Sequence, residues 1–144
     1  MPVTKTFDVL QPSKVTITVP DPVISETIVP IVTPPVNKPP IANAGPDQSL
    51  VIPATATTIN SVLNGSASTD PEGTTLTYGW RKISGPTAGT IAMPALSITA
   101  VNGLMVGTYV FELRVVDALN LVGIDTVSIV VTQAAPPVNQ PPIA

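Results

Sequence analysis

Proline is so unevenly placed along this chain that it divides the sequence before any other feature is read. Of the 18 prolines, ten fall in residues 1–46, four in residues 136–144 and only four in the 89 residues between. Proline fixes φ and has no backbone N–H, so Pro-dense stretches resist helices and central strands and favour extended, polyproline-like runs. The flanks are therefore expected to be extended. The middle is the expected folding unit, large enough for one hydrophobic core of modest thickness.

Within that middle, short runs of β-branched residues alternate with turn clusters at roughly 8–12-residue intervals, the pattern of an all-β fold. Strands are expected at 48–52, 57–63, 76–83, 90–92, 96–101, 108–116 and 124–132. NGSASTDPEG (64–73), SGP (84–86), NG (102–103) and DALN (117–120) supply the turns between them. No segment carries a sustained 3.6-residue apolar period. Side-chain parity then assigns the faces. Tyr109, Phe111, Leu113 and Val115 share one face of their strand while Glu112 and Arg114 lie on the other, and Val127, Ile129 and Val131 alternate with Thr126, Ser128 and Val130. Trp80, the only tryptophan, shares a face with Leu76 and Tyr78. It reads as a core anchor between two sheets, with a sugar-stacking platform as the functional alternative.

Composition excludes several kinds of chemistry. With no cysteine and no histidine there is no disulfide, thiolate nucleophile, imidazole acid–base pair or ordinary zinc site. The net charge is −3, and the six basic residues, Lys5, Lys14, Lys38, Arg81, Lys82 and Arg114, form no stripe that could track phosphates, so nucleic acid is not an expected partner. Mean hydropathy is positive, yet no uncharged apolar run approaches the roughly 20 residues needed to span a bilayer. Pro2, Lys5 and Asp8 follow Met1 with no apolar stretch of about 7–15 residues, so no secretory signal is read there. Asp70 and Glu72, two residues apart in one turn, lack the cleft and raised pKa of a glycosidase pair. Ser84 and Lys82 share a face but lack oxyanion donors. No enzymatic activity is expected.

Residues 1–33 differ from the rest. Strand patterns at 4–10, 13–20 and 23–32 are interrupted by Pro12, Pro20, Pro22 and Pro30. A few strands without a helix or a second sheet are marginal alone. The arm is expected either to be disordered or to need something outside itself to pair with, and docking against a protein partner by strand pairing is the favoured reading.

Four motifs in order resemble the polycystic-kidney-disease (PKD) repeat: AGPDQ (44–48), LNGSASTDPEG (63–73), Trp80 in the next strand, and GTYVFELRVVD (107–117). The resemblance covers about residues 37–132. It departs from the family pattern at Glu72, usually Asp, and at RVVD (114–117), often TVTD. It implies an immunoglobulin-like β-sandwich of about seven strands, in modules that are mostly extracellular or particle-surface, often in tandem, and rarely catalytic. The expected organisation is an arm at 1–33, a Pro-rich linker at 34–42, the sandwich at 43–133, and a linker with the start of a next repeat at 134–144. PPVNKPPIA (34–42) and PPVNQPPIA (136–144) share eight of nine positions at an offset of 102 residues, which would be one sandwich plus one stiff linker of an array. Some relatives of this kind bind calcium near the linker. Here Asp70, Glu72, Asp117 and Asn37 would be the ligands, with ordinary solvated turn residues as the alternative. No other cofactor is expected. NGS (64–66) fits a glycosylation sequon but also an Asx-type turn, and Tyr109 resembles a tyrosine corner.

The resulting expectation is a non-enzymatic structural or adhesion module of a multi-repeat fibre, oligomeric within an assembly that docks residues 1–33. Distal repeats would meet host-surface glycans or proteins. The absence of an export signal favours a bacteriophage virion surface, as a head fibre, decoration or tail-associated protein. The alternatives are a spacer in a bacterial cell-surface adhesin or stalk, and an accessory carbohydrate- or protein-binding domain of a secreted hydrolase.

Overall fold

The computed structural model describes residues 3–8, 14–19 and 35–138. The chain divides into two compact units, Met1–Pro35 and Val36–Ala144. In the first unit β1 (Val3–Asp8) and β2 (Lys14–Val19) pair antiparallel, from Val3 opposite Val19 to Asp8 opposite Lys14. Two of the three strands expected in the arm thus pair with each other. The third, at 23–32, lies outside the described residues.

The second unit is an all-β sandwich of seven strands and, among the described residues, contains no helix. They are β3 (Gln48–Ile52), β4 (Ile59–Asn64), β5 (Thr77–Ser84), β6 (Thr90–Ile91), β7 (Ile98–Leu104), β8 (Gly107–Val116) and β9 (Val122–Gln133). One sheet has the order β3-β9-β8-β5 and the other the order β4-β7-β6. The longest strands, β8 and β9, pair antiparallel through ten residues each, from Gly107 opposite Val131 to Val116 opposite Val122. Their alternating apolar side chains supply one wall of the core. Tyr109, Phe111, Leu113, Val115, Val127, Ile129 and Val131 are buried, packed with Ile52 of β3 in the same sheet and with Leu63, Val101 and Leu104 of the facing sheet. Trp80 is 4% exposed, and its Nε1–H donates to the Leu96 carbonyl at 3.1 Å. An indole can be buried this way because its one polar group finds a partner.

β3 pairs parallel with β9, from Gln48 opposite Ile129 to Ile52 opposite Gln133. The first and last strands of the sandwich therefore run side by side in the same direction. The chain enters at one pole and leaves at the other.

One turn expected from the sequence is not a turn. Asn102-Gly103 lies inside β7, where Ile59 faces Leu104 but Ser61 already faces Val101. Two residues on β7 thus oppose the single Asn60, a β-bulge. Gly103 has φ +72°, which only glycine adopts without strain, and its N–H donates to Asn60 Oδ1 at 2.9 Å. The sign that suggested a hairpin instead lets the strand continue past an extra residue.

Candidate functional site at the pole where the chain enters

Three elements converge at the inlet pole: the incoming segment 36–47, the loop 65–76 after β4, and the turn 117–121 between β8 and β9. Asp117 organises the turn. Its Oδ1 accepts the N–H groups of Leu119 and Leu121, both at 2.8 Å, and Asn120 closes the turn with φ 68°. The other carboxylate oxygen, Oδ2, accepts Asn37 Nδ2–H at 2.6 Å. Burial alone would push the Asp117 carboxyl up. The hydrogen bonds from Asn37 and from the backbone of Leu121, Leu119 and Asn120 outweigh it, and the carboxyl is held below its ordinary range.

The incoming segment is extended, as its prolines require, and from Asn37 onward it is bonded to the sandwich. Lys38 N–H donates to Glu72 Oε2 at 3.1 Å. Ile41 and Thr69 exchange both backbone bonds, at 2.7 and 3.0 Å. Asn43 N–H donates to Ser68 Oγ, and Ala44 N–H to Asp125 Oδ2 at 2.7 Å. Asp47 Oδ1 accepts Ser128 N–H at 2.8 Å, after which β3 begins. Gly123 makes this course possible. A Cβ built there would run into the Pro40 carbonyl and come within 3.1 Å of Ala42 N. Glycine inside a strand marks such a close approach of another backbone.

The four residues expected as calcium ligands all lie in this region. Asn37 and Asp117 bond each other. Glu72 takes Lys38 N–H, and Asp70 Oδ1 takes Glu72 N–H at 3.2 Å and Thr74 N–H at 2.8 Å. Among the described residues, no three acidic, histidine or cysteine side chains gather in a way that could hold a metal ion. The carboxylates are largely occupied in receiving amide hydrogens, the arrangement of a clasp more than of an ion cage. One buried oxygen, Asp70 Oδ2, has no protein partner, and neither has Thr74 Oγ1.

The outlet pole holds a second clasp. The Tyr109 hydroxyl donates to the Met105 carbonyl and accepts Met105 N–H, each at 3.0 Å, and so fixes the turn between β7 and β8. Lys82 Nζ donates to the carbonyls of Pro86, Thr87 and Ala88 at 2.7, 3.2 and 2.6 Å and lies 5.8 Å from the Tyr109 ring centre. That ammonium is bound as a structural pin. Sequence reasoning missed this pin, along with Gly123, Ser68 and Asp125. Only Gly123, a glycine between Val122 and Ile124, carried a readable sign. At the sequon, Asn64 Oδ1 accepts Ser66 N–H and Oγ–H, an Asx-type turn.

No helix among the described residues is long and apolar enough to cross a membrane. Residues 44–131 match the family described as K319L-like, PKD domain. The dyslexia-associated protein KIAA0319-like protein of Mus musculus is 41% identical over 114 residues, covering 79% of this chain and 10% of that protein. The chain thus spans about a tenth of the length of that relative. The solution structure of the PKD domain from KIAA 1837 protein is similar at a TM-score of 0.58 and 35% identity, covering 69% of this chain and 92% of that one. That of the PKD domain from human KIAA0319 follows at 0.54 and 26%, covering 81% and 100%. Motif order, sandwich topology and the match across both sheets agree: the chain belongs to the K319L-like PKD domain family.

Proposed function

We propose that this chain is a non-catalytic structural and adhesion module, a strut repeated in series at a cell or particle surface, with residues 1–33 anchoring it to a larger protein assembly. The observation that supports this most is the parallel pairing of β3 with β9. Because the chain enters and leaves at opposite poles, copies joined in series extend instead of folding back. Tension applied through the two ends shears the β3–β9 ladder along its length, so its bonds resist together. The amide groups of the inlet segment, spent on Asp117, Glu72, Thr69 and Asp125, continue that seam to the pole.

The relatives lend a bacteriophage virion no support, and a cell-surface stalk or adhesin becomes the preferred setting. An accessory sugar-binding domain is disfavoured by the aromatic side chains. Trp80, Tyr109 and Phe111 are buried and Tyr78 is half-buried against the core, which leaves the sandwich no fully exposed ring to stack on a sugar. Contact with host glycans or proteins would then fall to other repeats. The test is deletion of residues 1–33 from the protein in its native setting. The sandwich should keep its NMR spectrum while surface retention is lost. Undiminished retention would refute the anchoring role.

A further inference from the structure

We infer that consecutive sandwiches of such an array dock pole to pole, Met105 and Val106 of one against Leu119 of the next. This rests on the serial-strut reading. The phrase at 34–42 joins the sandwich from Asn37 onward, through Asp117, Glu72, Thr69 and the Gly123 contact. Val36, just before it, is 84% exposed. At the outlet the last backbone bond among the described residues is Ala134 N–H to the Ile52 carbonyl, and Val138 is 87% exposed. The 102-residue offset puts Asn139 in the place of Asn37 and Ile143 in that of Ile41. A following sandwich of this pattern would therefore hold the chain from Asn139 onward. Only Ala135, Pro136, Pro137 and Val138 remain as spacer.

Such a spacer is short and stiff. From Ala134 to Asn139 a polyproline-like chain reaches roughly 15 Å. Two sheets packed about 10 Å apart, with their outward side chains, make a body wider than that, so a small tilt at the junction brings loops of the two bodies within reach of each other. Each pole presents an apolar tip. At the outlet pole Met105 and Val106 are 49% and 54% exposed on a turn fixed by the Tyr109 hydroxyl. At the inlet pole Leu119 is 65% exposed at the tip of the turn that Asp117 fixes. The two tips lie at opposite ends of β8, in the sheet from which the spacer departs. Both are held rigid before they meet, so docking orders little new chain.

The test uses the full chain extended after Ala144 by a second copy of residues 43–138, so that the 136–144 phrase leads straight into it. Residual dipolar couplings from both sandwiches should fit one common alignment tensor. The pair Met105→Ser and Val106→Ser in the first copy should split it into two, as should four Gly-Ser residues inserted after Val138. Two folded sandwiches that align independently in the parent overturn the docking while leaving the strut standing. A common tensor that survives the double-serine change overturns it too, and so does a second copy that fails to fold behind residues 136–144.

Discussion

Asp117 and Trp80 hold the two most informative single positions, one at the pole and one in the core. Because hydrogen bonds depress the folded pKa of Asp117, its contribution to stability is fully present above the unfolded value near 3.8 and is lost as pH falls through the lower folded value. Asp117→Asn should therefore be less stable than the parent at neutral pH, and melting curves of the two should converge below about pH 4 as the parent loses its advantage. An unchanged gap at low pH would remove Asp117 from the clasp. Trp80→Ala should cost roughly 3–5 kcal/mol in urea unfolding, as large truncations in a packed core do; a loss below ~1 kcal/mol would mean that the site does not behave as core. Melting temperature should be the same in millimolar calcium and in EDTA, since the carboxylates at the inlet pole already receive amide hydrogens. A rise with calcium would show that Asp70 Oδ2 helps to complete an ion site.

At the scale of elements, strand positions and faces were legible wherever polar and apolar residues alternate. Parity alone puts Tyr109, Phe111, Leu113 and Val115 on one side, because a strand has only two faces and charge occupies the other. What could not be read was set by partners far off in sequence. Asn102-Gly103 looks like a turn until Asn60, 43 residues away, is seen to accept the Gly103 N–H. The inlet phrase looks like a tether because prolines conceal whether an extended chain is free or bound. Its partners Asp117 and Asp125 lie about 80 residues downstream. Gly123→Val tests the seam directly. It should raise hydrogen exchange at the Ile41 and Thr69 amides by at least tenfold while the amides of β8 keep their protection. Equal loss across β8 would mean that the inlet segment and the sandwich form one cooperative unit.

For the whole molecule, the parallel first and last strands fix the separation of the chain ends. Cysteines placed at Val36 and Val138 in this cysteine-free sequence would carry dyes on the order of 40–50 Å apart, from a rise of about 3.3 Å per residue along β9 and its extensions. A separation under ~25 Å, which strands rising at that rate forbid, would mean a chain that turns back on itself. The same pairing also shapes how the molecule is made. Within a repeat β3 emerges from the ribosome first, yet its partner lies 81 residues later, so no repeat can close until its last strand is synthesised. In a series of near-identical repeats each nascent β3 would wait beside the completed β9 of its predecessor. In such a series, stiff prolines between neighbours would hold that wrong partner at a distance during the wait.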